Sequence, residues 1–191
     1  MASAVRAGTY CVLFVLLLTV TVTSSSDGTV IPCRRNPLRP CQCVLQDRTV
    51  FDIGNIFANK FPVLIDGPPT PPDVDGHSYG YSPCEPLGNC MQWAKVDNVS
   101  VCVYYPRGWG AAWWFNYPLG TTTSANYTIY QMKTNEIAAN VTYSDLYGST
   151  HVSFVYNATA DQPVMKWIKS IKLATTPYFQ VESNKVKLTE V

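Results

Sequence analysis

Charge is scarce in this chain. Asp, Glu, Lys and Arg make up 14% of its 191 residues, against roughly 25% in an average soluble domain. That scarcity excludes a disordered chain and a coiled coil, both of which need many charges. Lys+Arg number 14 and Asp+Glu 13, so no basic excess exists to neutralise phosphates, and nucleic acid is excluded as a partner. Only two histidines occur, His77 and His151. No G-x-S-x-G, H-E-x-x-H, P-loop or dinucleotide glycine fingerprint is present. The pair Cys41-Gln-Cys43 lacks zinc-site spacing, and His151 reads as a half-exposed strand residue. No enzyme, metal or cofactor is expected. Repeats of 20–50 residues are absent, and so is any cysteine after Cys102.

What remains is a β vocabulary. The chain has 14 Pro, 11 Gly and 12 Tyr with many Thr and Val, the composition of short strands broken by turns. Met1–Ala7 carries one charge, Arg6, before an apolar run from Cys11 to Val22 and the small residues Ser24–Ser26. A run of about a dozen residues is short for a membrane span, which needs roughly 20. Residues 1–26 therefore read as a secretory signal peptide, an uncleaved anchor being the alternative. No later stretch approaches spanning length. Residues 27–191 are expected to form one lumenal or extracellular domain. Without Arg6 the basic count falls to 13, equal to the 13 acids.

Cysteine usage agrees with that compartment. Cys11 leaves with the signal, and Cys33, Cys41, Cys43, Cys84, Cys90 and Cys102 form an even set. Such a set in a secreted chain is a disulfide framework, with fifteen connectivities open. Four sequons begin at Asn98, Asn126, Asn140 and Asn157, fitting a glycosylated product.

Along the chain, residues 27–45 read as loop-rich around Pro32, Pro37 and Pro40, and Gly67–Pro72 as a stiff connector. Strands are expected at Val99–Tyr105, Asn126–Met132, Ile137–Tyr143, His151–Tyr156 and Tyr178–Lys187. Val164, Trp167, Ile168 and Ile171 have helical spacing, so that segment is a short helix or a buried strand. The cluster Trp109, Trp113, Trp114, Phe115 and Tyr117 has two readings. It is an exposed platform for sugar rings or a partner, or a hairpin whose aromatics fill the core. The residues favour the hairpin.

The order of motifs resembles the mannose 6-phosphate receptor homology family over about residues 33–188. Cys41-Gln-Cys43 with Asp47 and Val50-Phe-Asp-Ile53 resembles the opening cysteines and the "D-L-S-P-L" turn. Ser78 to Leu87 resembles "Y-x-x-N-x-C-x-P-L", and Cys90 with Val99-Ser-Val-Cys102 the next cysteine and "A-V-C-Q". Leu119-Gly-Thr121 resembles "L-G-x", Gly148 to Tyr156 resembles "R-S-T-x-I-x-F-V-C", and the strand from Tyr178 the closing motif. The resemblance implies a flattened barrel or sandwich of two antiparallel sheets. It also implies Cys84 joined to Cys41 or Cys43, Cys90 joined to Cys102, and a last pair that includes Cys33.

The departures fall on the sugar-reading set. That family reads phosphomannose or trimmed mannose glycans with Gln, Arg, Glu and Tyr. Thr122 stands where the Gln is expected and Gly148 where the Arg is expected. Asp161 is the only acid between Tyr156 and Tyr178, and Tyr178 alone matches. Tyr178 is then a ligand-binding candidate beside Trp109, Trp113 and Trp114, with a core strand residue as its competing reading. Tyr156 replaces one cysteine of the last family disulfide, and its partner is missing too. The expectation is a secretory glycoprotein with a binding module for lumenal proteins or glycans that does not bind mannose 6-phosphate. The alternative is a non-binding accessory ectodomain of a longer receptor.

Overall fold

The computed structural model describes residues 28–66, 77–88, 90, 96–104, 116–171 and 176–190. The signal segment, the Gly67–Pro72 connector, Tyr105 and the three tryptophans Trp109, Trp113 and Trp114 lie outside the described residues.

The fold is all-β. The six-stranded sheet runs in the order β1 (Thr29–Ile31), β9 (Asn126–Gln131), β10 (Ile137–Ser144), β11 (Ser149–Tyr156), β13 (Thr176–Ser183), β12 (Val164–Ile171). Two four-stranded sheets pack over one of its faces. The first is β14 (Leu188–Thr189), β4 (Val50–Asp52), β3 (Gln42–Leu45), β2 (Cys33–Arg35). The second is β5 (Val63–Asp66), β6 (Ser78–Tyr81), β7 (Val99–Tyr104), β8 (Asn116–Thr121). Among the described residues every pairing is antiparallel except β11 with β13, which is parallel. The result is a β-sandwich whose sheets are not closed on one another, divided into three hydrogen-bonded pieces with one parallel pair.

Alternation explains the core. In β10 Ile137, Ala139, Val141 and Tyr143 point inward and Asn140 and Ser144 outward; β11 does the same with Val152 and Phe154. The sheets meet through edge-on aromatic pairs: Phe51 against Phe154, Tyr79 against Phe179 and Tyr81 against Tyr143, with centroids 5.5, 5.1 and 5.8 Å apart. Such pairs add about 0.5–1.5 kcal/mol beyond their buried area. The hydroxyls of Tyr81 and Tyr143 lie 2.9 Å apart and satisfy each other in the buried core, and burial pushes both phenols far above their usual pKa.

Disulfides join Cys33 to Cys43, Cys41 to Cys84 and Cys90 to Cys102. Of the two partners open for Cys84, Cys41 is the one, and Cys33 takes Cys43. All three bridges tie together the four-stranded half.

Three expectations change. Residues 27–45 are not simply loop: β1, β2 and β3 lie there, and Pro32, Pro37 and Pro40 fall between them, marking their ends. The segment Val164–Ile171 is neither helix nor buried strand but an edge strand with an exposed outer side. A register shift between Trp167 and Lys169 adds a residue to the alternation, and that break produces the helix-like spacing. The strand expected over Tyr178–Lys187 runs from Thr176 to Ser183 and ends in a turn. In addition, β7 is buried on both faces. Its second face is covered by Leu87 and Cys90, bound through the Leu87 N–H to the Val99 carbonyl at 2.8 Å.

Candidate functional site

Of the ligand residues expected from the sequence, Tyr178 is among the described residues and Trp109, Trp113 and Trp114 are not. Tyr178 is half-buried on the outer face of the six-stranded sheet, while its neighbours Pro177 and Phe179 point into the core. Its ring stacks on His151, its partner across the parallel pair, with centroids 4.5 Å apart and planes 11° off parallel. From the other neighbouring strand Lys169 places its ammonium 4.8 Å from the ring centroid. Tyr178 is therefore occupied by its own sheet. Thr122 is buried, its carbonyl accepting from Arg35 Nη1 at 2.7 Å. Gly148 offers no side chain, and Asp161 accepts from Asn184 Nδ2 at 3.0 Å on the surface. None of Thr122, Gly148 and Asp161 supplies an amide or guanidinium side chain, and the guanidinium at Thr122 is that of Arg35, bound to its carbonyl. Sugar recognition of the receptor kind needs such matched polar groups.

A groove of about 590 Å³ opens instead at the other end of the sandwich, a size within the usual range for ligand sites. Its apolar floor is Ile31, Leu45, Ile137 and Leu188, and its polar rim is Gln46, Asp47, Gln131, Asn135 and Lys187. Two hairpin tips of the same build frame it. In the β3–β4 tip the Leu45 N–H donates to Thr49 O at 2.8 Å and the Arg48 N–H to Leu45 O at 3.1 Å. In the β9–β10 tip the Met132 N–H donates to Glu136 O at 2.9 Å and the Asn135 N–H to Met132 O at 3.0 Å. Each tip places its last turn residue in the left-handed region, Arg48 at φ 72° and Asn135 at φ 62°. That geometry is the three-residue hairpin loop closed by a left-handed residue.

The rim chemistry follows from these turns. Asp47 Oδ1 accepts from the Thr49 N–H at 2.9 Å and from Thr49 Oγ1 at 2.7 Å. Those bonds favour the ionised form and hold the Asp47 carboxyl below the usual range. A fixed carboxylate, an ammonium at Lys187 and three amides thus surround an apolar floor. The set can match donors and acceptors of a peptide or a sugar while burying an apolar edge. Among the described residues no group of three or more His, Cys, Asp or Glu is placed to hold a metal. The groove is invisible to sequence reading because its rim is drawn from turns and strand ends far apart in the chain. Of the rim residues, the sequence motifs include Asp47 alone.

A second groove of about 510 Å³ lies along β5, β6 and β7, with Phe61, Leu64, Pro86, Leu87 and Tyr104 on its walls. Its lining is mostly apolar, with Ser78, Ser82 and Glu85 as its polar side chains beside the Tyr104 phenol.

Comparison with known proteins bears on the fold. No family model matches the chain, and no curated protein matches it. Among solved structures it is similar to domain 11 of the echidna mannose 6-phosphate/IGF2R receptor, solved by NMR in solution. The two share 15% identity at a TM-score of 0.51, over 80% of this chain and 97% of that one. The likeness is one of fold, a β-sandwich, which this chain builds with three disulfides among its described residues.

Proposed function

We propose that this chain is a secretory-pathway, N-glycosylated binding module whose ligand is a lumenal protein or glycan other than mannose 6-phosphate. Residues 1–26 act as the signal peptide and residues 27–191 as the binding domain. The observation that carries the reading is a division of labour within a receptor-like sandwich. The positions that match the family's sugar set are buried, lack a side chain or are engaged by neighbours, whereas a groove with a mixed polar rim stands open at Asp47, Gln131 and Lys187. The chain performs no catalysis in this reading; it recognises.

The test uses the chain secreted from a eukaryotic cell. It is applied to a phosphomannose resin, a glycan array and an array of secreted proteins. Expected are passage through the resin and a binder on one array that is lost in the double variant Asp47→Ala/Gln131→Ala. Resin retention released by free sugar and lost on Tyr178→Phe would make the chain a working phosphomannose lectin. Silence on all three supports would leave the accessory-ectodomain reading in its place.

A further inference from the structure

The outer face of the six-stranded sheet is ordered in cross-strand rows. One row is Asn126, Thr142, His151, Tyr178 and Lys169; the next is Thr128, Asn140, Ser153, Gln180 and Lys166. Two sequons lie inside these rows, Asn126-Tyr-Thr128 on β9 and Asn140-Val-Thr142 on β10. They run antiparallel and in mutual register: Asn126 faces Thr142, and Asn140 faces Thr128. Both asparagines are exposed, and both point away from the core. Diagonal neighbours on adjacent strands are roughly 7–8 Å apart, so the two acceptor amides open onto one small patch. Asn140 accepts from Ser153 Oγ at 2.8 Å through its Oδ1, away from the Nδ2 that would carry a sugar; Asn157 differs, since its Nδ2 itself donates to Glu182 Oε2 at 3.0 Å.

We propose that Asn126 and Asn140 are glycosylated in the same molecule and that the two glycans form a canopy over the outer face of this sheet. The inference rests on the secretory reading above and adds which sites are used and what they cover. Transfer takes an oligosaccharide from a lipid pyrophosphate donor. The sugar C1–Nδ2 bond forms, the C1–oxygen bond to the pyrophosphate breaks with its electron pair leaving on that oxygen, and the amide gives up one proton. Once in place, two branched polar chains rooted on β9 and β10 lie over β11, including His151, which sits one strand from Thr142. The canopy closes the part of this face around Asn126 and Asn140 to protein partners and leaves the groove end free.

The experiment exploits the histidine count. His77 is buried and His151 is the only other one, so diethyl pyrocarbonate modification of the folded chain reports His151. The secreted chain is mapped by glycopeptide mass spectrometry, and histidine modification is timed for it and for Asn126→Gln/Asn140→Gln. Expected are both sites occupied together, and a rate at least threefold higher in the double variant. Should that variant fail to fold, the native chain trimmed by an endoglycosidase gives the same comparison. A bare Asn126 or Asn140 on a chain glycosylated at Asn98 or Asn157 overturns the canopy and leaves the secretory reading standing. An unchanged histidine rate with both sites occupied also overturns it. A chain without glycan at any sequon overturns both.

Discussion

The four-stranded sheets and the six-stranded sheet share one core but fasten their strands differently. In the four-stranded half the strands are two to six residues long, and three disulfides lie across them. In the six-stranded sheet β10, β11, β12 and β13 are eight residues each, and no cysteine occurs. Short strands make few ladder bonds and bury little apolar area each, so a covalent tie offsets what pairing does not provide. Long alternating strands hold themselves by inward rows of Val, Ile, Phe and Tyr. Stabilisation by constraint of the unfolded chain and stabilisation by packing are thus segregated within one sandwich.

Breaking the packing side should have the largest effect. Phe154 is fully buried where β11 meets Phe51 of β4, and Phe154→Ala is expected to cost about 3–5 kcal/mol in chemical denaturation. On the stapled side the longest loop is the 43-residue one closed by Cys41 and Cys84. Replacing both with alanine is expected to cost about 4 kcal/mol through the freed unfolded chain. A loss under about 1 kcal/mol would show that the four-stranded half is held by packing after all.

The two matched hairpin tips sharpen the comparison with an opposite sign. Arg48 in the stapled half occupies the left-handed region that Asn135 occupies in the other half. Asn tolerates that conformation and Arg does so at a cost, so Arg48→Gly is expected to stabilise by about 1 kcal/mol. Asn135→Gly should change the unfolding midpoint little.

The smallest expected effect is a pH dependence confined to the six-stranded sheet. Burial pushes the His151 imidazole below its usual pKa, while Thr142 Oγ1 lies 3.2 Å from its Nδ1 and Tyr178 covers its ring. With the folded pKa depressed, the unfolded chain binds the proton more readily. Stability is therefore full above the unfolded value of about 6.5 and falls as pH drops through it toward the folded value. Denaturation midpoints measured at pH 7.5 and 5 should fall less in His151→Gln than in the native chain.

Much of this division was legible in the residues. The strands β9, β10 and β11 follow from clean alternation, and the even cysteine count before residue 103 announced a covalently tied first half. The misread parts are places where a local break hides the period. The shift at Trp167 turns a strand into an apparent helix turn, and prolines between β1, β2 and β3 make three short strands look like loop. The face chosen by Tyr178 was equally hidden, because in Tyr178–Phe179 both residues are aromatic and alternation alone does not say which points inward. The groove was least visible, since its rim is polar turn residues whose convergence only the tertiary fold creates.

The position of β13 has a consequence for how the molecule comes into being. It follows β12 in sequence, yet it lies between β11 and β12, parallel to the first and antiparallel to the second. Until residues 176–183 emerge from the ribosome, β11 presents a bare edge rich in Val and Phe, and β12 has no partner at all. Nascent chains are thus open to strand-to-strand association at both places until β13 is made. A ribosome paused ahead of residue 176 would hold four paired strands and a detached β12, and the arrival of one strand joins the two.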